Sequence, residues 1–116
     1  GTTHADYFCG EIPVTRAMTA LEVERDYEWN TGAVIVERFQ GVDPSNLPAV
    51  LVRSHGPFVW GSSAAKALEN AFALEIVARM ALQTRLLQDS LQPIPDHLLQ
   101  KHFLRKHGSG ATYGQK

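Results

Sequence analysis

The stretch Val50-Leu51-Val52-Arg53-Ser54-His55-Gly56-Pro57-Phe58-Val59-Trp60-Gly61 decides the fold. Val50, Leu51 and Val52 are consecutive apolar β-formers and predict a short buried strand. Gly56-Pro57 then predicts a break. His55 falls at that break, where the chain leaves the sheet. Ligands of open α/β folds gather at the carboxyl ends of strands, and a rigid strand is a good mount for a metal-binding imidazole. The same histidine could instead be a hydrogen-bonded turn residue.

On the carboxyl side, Ser62 or Ser63 can cap a long helix over Ala64–Gln88. Leu68, Phe72, Ile76 and Met80 recur at spacing four, and Ala65, Leu74, Val77 and Ala81 widen the stripe, so this face is expected to pack across the sheet as core. Pro93 and Pro95 interrupt the chain. Asp96 can cap a last helix over His97–His107, with Leu98, Leu99 and Phe103 as its apolar face and Gly108 as its stop. Ser109–Lys116 is a tail containing glycines and Tyr113.

On the amino side, Gly41–Pro48 reads as a loop. Asn30 can cap a helix over Thr31–Gln40, against the local strand preference of Val34-Ile35-Val36. Thr19-Ala20-Leu21-Glu22 matches a capping box, which starts a short helix at Ala20. Glu11–Thr15 suits a brief edge strand whose pairing Pro13 limits. Asp6, Tyr7 and Phe8 fall in an extended or loop segment.

The 116 residues suffice for one domain, and 44% hydrophobic with 20% charged residues suits a globule. A formal net charge of −1 offers no general attraction to nucleic acid or anionic membrane. No apolar run approaches the roughly 20 residues of a membrane span. The one cysteine, Cys9, excludes an internal disulfide and suits a reducing compartment, so a cytoplasmic location is expected. The start at Gly1 reads like the middle of a protein, and a fragment is expected.

Few residues carry obvious chemistry. Asp6 and Tyr113 are a ready base and a ready acid at neutral pH, which as a pair suit proton transfer on two faces of a substrate. They could equally be a turn-forming aspartate and a tail tyrosine. Lys101, His102, Arg105, Lys106 and His107 form a basic cluster late in the last helix. It is either a dipole-complementing helix end or an anion site with Arg105 as the fork. Glu28 beside Trp29 is either a buried acid near a site or an exposed helix-start residue. The five histidines make no His-x-His or His-Glu-x-x-His pattern, no zinc-spaced cysteine pair exists, and no phosphate-cradling glycine loop occurs.

Five separated motifs carry a resemblance. They are Gly-Thr-Thr-His-Ala-Asp-Tyr-Phe (1–8), Tyr-Glu-Trp (27–29), Ser-His-Gly-Pro-Phe (54–58), Lys-His-Phe-Leu-Arg-Lys-His-Gly (101–108) and Ala-Thr-Tyr-Gly-Gln (111–115). With these the whole chain resembles the carboxy-terminal half of the pentulose-phosphate epimerases of the class II aldolase/adducin family. The resemblance implies an α/β fold, a three-layer α/β/α sandwich with a mixed, largely antiparallel central sheet. Residues 1–116 would be the C-terminal part of one such domain. It implies a cytoplasmic homotetramer that depends on a divalent metal, usually Zn2+, and whose active site is shared between adjacent subunits.

By position, His55 matches a metal ligand, Asp6 and Tyr113 match the acid/base pair, and Thr2, Glu28, His102 and Arg105 match residues around the site. The implied reaction interconverts L-ribulose 5-phosphate and D-xylulose 5-phosphate by cleavage of C3–C4 and re-addition to the other face of the aldehyde. The metal acts as the Lewis acid. Arg53 stands where relatives often carry a second histidine and is expected not to ligate. Cys9 and Asn30 replace a common tyrosine and a common glutamate. The remaining metal ligands and phosphate loops would lie upstream of Gly1, so the fragment alone is expected to be inactive, since zinc wants three or four ligands. Alternatives are an aldolase that stops at cleavage, as for fuculose phosphate, an epimerase of L-xylulose phosphate, and a non-catalytic interaction module like adducin.

Overall fold

The computed structural model describes residues 1–111. Its elements in chain order are α1 (Thr2–Ala5), α2 (Ala20–Glu24), α3 (Tyr27–Arg38), β1 (Ala49–Val52), β2 (Gly56–Val59), α4 (Ala64–Leu87) and α5 (Asp96–His107).

The strand at Val50 is confirmed, but Gly56-Pro57 does not break the sheet. It opens β2, which pairs antiparallel with β1 in the register Val52↔Gly56, Leu51↔Pro57, Val50↔Phe58 and Ala49↔Val59. Proline fits here because the backbone groups of Leu51 point the other way. Leu51 N donates to Pro13 O at 2.9 Å and Leu51 O accepts from Thr15 N at 3.0 Å. The Leu51–Pro57 pair is therefore a non-hydrogen-bonded one, and no donor is missed at Pro57. The expected edge strand over Glu11–Thr15 shrinks to one parallel bridge, Val14↔Leu51. Arg53-Ser54-His55 forms the hairpin turn, with Ser54 left-handed at φ 64° and Gly56 at φ 140°, a value that favours glycine.

Alternation along β1 sends its side chains to opposite faces. Ala49 joins Phe8, Leu47, Ala73, Leu74 and Val77 in a core cluster under α4. α3 also packs on β1, and it buries Thr31 and Val34. Val50 and Val52 are buried as well. The described part is thus an arrangement of helices around a small antiparallel sheet.

Several expectations need correction. α3 begins four residues early, at Tyr27, behind a left-handed Asp26 with no side-chain cap. Asn30 lies inside that helix and is not its cap. Its Nδ2 is taken by the carbonyls of Glu22 (3.0 Å) and Arg25 (2.6 Å), which ties α2 to α3. Asp6 ends a one-turn helix, where a loop or strand was expected. Pro95 occupies the N-cap of α5 and Asp96 is already helical, with no side-chain cap bond.

The length of α4 is as expected, and Ser63 Oγ caps it by accepting from Lys66 N at 3.1 Å. Its inward face is as expected only in part, at Leu74 and Val77. Leu68 (72% exposed) and Phe72 (70%) point outward with Met80, while Asn70, Ala73, Leu74 and Val77 are buried. α4 carries apolar residues on nearly every face, so its periodicity did not select a side. Asn70 can be buried because its Nδ2 donates to Trp60 O at 2.9 Å. The capping box at Thr19 is present with both reciprocal bonds. No helix among the described residues is long and apolar enough to cross a membrane.

Candidate functional site

α1 is too short to hold itself together and is pinned by its surroundings. Ala5 and Phe8 are completely buried, and α1 packs on both α4 and α5. This fixes Asp6 against the last turns of α5. On that helix His102, Arg105 and Lys106 stand three and four residues apart and share a face. All three converge on the Asp6 carboxylate. His102 Nδ1 lies 2.9 Å from Oδ1, Arg105 Nη2 lies 3.1 Å from Oδ1 and 3.2 Å from Oδ2, and Lys106 Nζ lies 3.5 Å from Oδ2. His107 Nε2 donates to the Asp6 backbone oxygen at 2.9 Å, and its ring stacks on the buried Phe103 at 4.5 Å.

An anion beside a helix C-terminus has the wrong sign for the macrodipole. The three side-chain cations and donors reverse that preference. Burial pushes the Asp6 carboxyl up, but the hydrogen bonds from His102 and Arg105 and the charges of Lys106 and Arg105 outweigh it and hold it below its ordinary 3.8. The Asp6 side chain is 15% exposed, so this is a mostly covered, ionised, pre-oriented proton acceptor.

His55 occupies a different place, at the exposed tip of the β1–β2 hairpin. Its backbone N–H donates to Val52 O at 3.0 Å, and its ring stacks on Phe58 at 5.2 Å. The ring is not sunk among aliphatic side chains. With Ala17, Met18, Val23, Tyr27 and Arg53 it lines an open cleft of about 250 Å³. The hairpin is held at its base by Arg53 N donating to Thr15 Oγ1 at 3.1 Å. The opposite wall, α2 and α3, is clamped by Arg16, which pairs with Glu22 (2.8 Å) and Glu37 (3.0 Å). The Arg16 hydrogen bond, helped by the Thr19 backbone, pulls Glu22 down to about 2.

The candidate residues therefore divide. Asp6, His102 and Arg105 come together, and Thr2 stands one helical turn before Asp6, its backbone oxygen accepting from Asp6 N at 2.9 Å. His55 stands in its own cleft. Glu28 is exposed on the outer face of α3 beside Trp29, which is 81% exposed, so it is not a buried acid. Tyr113 lies outside the described residues. Lys106 belongs to the Asp6 cluster as firmly as Arg105 does, and its i+4 spacing from His102 was the signal for it. Tyr7 was missed: Lys106 Nζ and Lys66 Nζ lie 5.0 and 5.9 Å from its ring centroid.

Residues 1–82 match the family model described as "Class II Aldolase and Adducin N-terminal domain". The chain belongs to the class II aldolase and adducin family. Over all 116 residues it is 53% identical to proteins named L-ribulose-5-phosphate 4-epimerase UlaF from Salmonella paratyphi B and from Salmonella typhi, covering 51% of each. The chain thus spans about half the length of the curated relatives it matches. The divalent metal expected in this family needs three or four ligands when it is zinc. Among the described residues no three His, Cys, Asp or Glu side chains gather as a cation site. His55 offers one accessible imidazole, which fits one ligand position and does not make a site alone.

Proposed function

We propose that these 116 residues are the C-terminal part of a class II aldolase-type domain, a three-layer α/β/α sandwich when whole. Its activity would be a sugar-phosphate epimerase interconverting L-ribulose 5-phosphate and D-xylulose 5-phosphate by breaking and remaking C3–C4. The observation that carries this reading is the Asp6 carboxylate, kept ionised and oriented by His102, Arg105 and Lys106. The identity with relatives that bear the epimerase name supports it. An aldolase need only cleave, whereas an epimerase must also protonate and deprotonate the C4 oxygen on both faces, which calls for two separate acid/base groups.

Asp6 takes one of those roles, as acceptor of the C4 hydroxyl proton, and Tyr113 takes the other. His102 and Arg105 position Asp6, while Thr2 and Glu28 contact or orient the substrate. His55 is one ligand of a divalent metal, Zn2+ or a similar ion, whose other ligands lie outside these residues. The metal supplies Lewis acidity at the keto oxygen. His55 and Asp6 lie in separate parts of the chain, which suits a cytoplasmic homotetramer in which one subunit's Asp6 and Tyr113 serve its neighbour's metal.

The test is a product assay on the full-length protein with L-ribulose 5-phosphate and added Zn2+. D-xylulose 5-phosphate should form, and Asp6→Asn should lower kcat by about 10²–10⁴-fold while leaving the bound metal in place. His55→Asn should lose the metal. Accumulation of free glycolaldehyde phosphate without epimer would establish the aldolase instead. Full activity of Asp6→Asn would refute the role given to that carboxylate. The isolated 116 residues should turn over no substrate.

A further inference from the structure

We propose that Tyr7 is a positioning residue for the epimerisation proposed above: its ring holds the Lys106 ammonium off the Asp6 carboxylate and so keeps that carboxylate a usable base. The inference rests on the proton-accepting role given to Asp6. Tyr7 follows Asp6 directly at the end of α1, and its backbone N–H donates to His4 O at 3.0 Å. Its half-buried ring packs against the core cluster that contains Phe8, so packing fixes where the ring stands.

Two attractions act on the Lys106 ammonium. Asp6 Oδ2 lies 3.5 Å away and the Tyr7 ring centroid 5.0 Å away. The face of an aromatic ring attracts a cation, more strongly where water is scarce. Water is scarce here, since the Lys106 side chain is 19% exposed and that of Asp6 15%. The 3.5 Å separation exceeds the roughly 2.7–2.9 Å of an ammonium bonded to a carboxylate. His102 and Arg105 already bond that carboxylate at 2.9 and 3.1 Å. A third donor drawn in as closely would lower its proton affinity further.

The other charged and titratable groups around this pair are engaged elsewhere. Lys66, which reaches the same ring from α4, is farther from it at 5.9 Å and pairs with Glu69 at 3.1 Å. His107 of α5 bonds the Asp6 backbone oxygen at 2.9 Å, and His4 of α1 lies 2.6 Å from Gly10 O. Without the Tyr7 ring, the pull of Asp6 on the Lys106 ammonium is no longer opposed from that side. The ammonium then closes on Oδ2, and the carboxylate becomes a weaker base. This is the opposite sign to the loss of Lys106 itself.

Tyr7 is replaced in the full-length protein by Leu, Met and Phe. The Asp6 titration is followed by carboxyl NMR, and epimerisation of L-ribulose 5-phosphate is assayed at neutral pH. In Tyr7→Leu and Tyr7→Met the Asp6 titration should move down by about half a unit, the size of one cation–π contact. With the weaker base kcat should fall roughly twofold while KM stays. Tyr7→Phe keeps the ring and should match the parent in both readouts. Two ring-less variants are made so that poor folding of one leaves the other to decide. A titration that stays or moves up when the ring is lost would overturn the proposal, as would a Tyr7→Phe that titrates like Tyr7→Leu. A shifted titration with kcat unmoved would show that Asp6 is not the base, and the positioning role falls with it. A parent that forms no D-xylulose 5-phosphate sinks the epimerase reading separately, while the titration still decides whether the ring governs Asp6.

Discussion

Replacing Asp6 by asparagine should undock the C-terminal half of α5, and the structure sets the size of the effect. The carboxylate accepts from His102 Nδ1 at 2.9 Å and from Arg105 Nη2 at 3.1 and 3.2 Å, with Lys106 Nζ at 3.5 Å. Charge-assisted bonds of this kind contribute about 1.5–3 kcal/mol each. Two facts reduce their sum: the Arg105 side chain is 35% exposed and therefore screened, and asparagine keeps one acceptor oxygen. What asparagine cannot keep is the charge, and it leaves cations facing an amide N–H₂ in a mostly covered pocket. A net loss of about 2–3 kcal/mol follows.

The pH dependence gives an independent check. Asp6 is held below its ordinary value of 3.8. Its contribution is therefore complete above that value and is lost as pH falls through the lowered folded value. The gap between parent and Asp6→Asn should be full near neutral pH and should narrow below 3.8. Urea unfolding at a series of pH values, read from the midpoint at constant slope, measures both quantities. A variant within about 0.5 kcal/mol of the parent at neutral pH, the ordinary range for surface changes, would refute the reasoning. So would a gap that stays constant into acid.

The orientation of α4 makes a sharp contrast. Leu74→Ala, at a 6% exposed core position, should cost about 2–5 kcal/mol, whereas Phe72→Ala, at 70% exposure, should cost under about 1 kcal/mol; chemical denaturation of the two side by side reverses that order if the helix is turned the other way. Thr19→Ala removes the acceptor for Glu22 N and should cost about 0.5–2 kcal/mol, seen as a lower denaturation midpoint and faster amide exchange confined at first to α2.

What could be read from the sequence followed the range of the forces involved. Caps and turns act within four residues, so the box at Thr19, the Ser63 cap and the end of α5 at Gly108 were legible. Asn30 misled because its amide is spent on carbonyls of the preceding helix, a contact between elements that no local pattern announces. Pro57 misled for a related reason. Whether a proline breaks a strand depends on which way its partner's backbone points, and Leu51 points toward Pro13 and Thr15, far away in sequence. The identity of a site residue was legible where a motif named it. Its company was not: nothing near Asp6 in the chain foretells His102, Arg105 and Lys106, which reach it across about a hundred residues.

The division between Asp6 and His55 carries the last step of argument. A carboxylate with depressed pKa is a weak base while all its donors stay in place, so holding it ionised does not by itself make it catalytic. It gains basicity when a donor is withdrawn or when a substrate oxygen competes for one. Lys106 is the donor most easily withdrawn, because its ammonium is already the most distant at 3.5 Å and is shared with the Tyr7 ring at 5.0 Å. Lys106→Met removes that ammonium and leaves the His102 and Arg105 hydrogen bonds in place, so the Asp6 carboxyl should move up toward its ordinary value. Carboxyl titration followed by NMR measures this, and an Asp6 that titrates unchanged in the variant would refute the part given to Lys106.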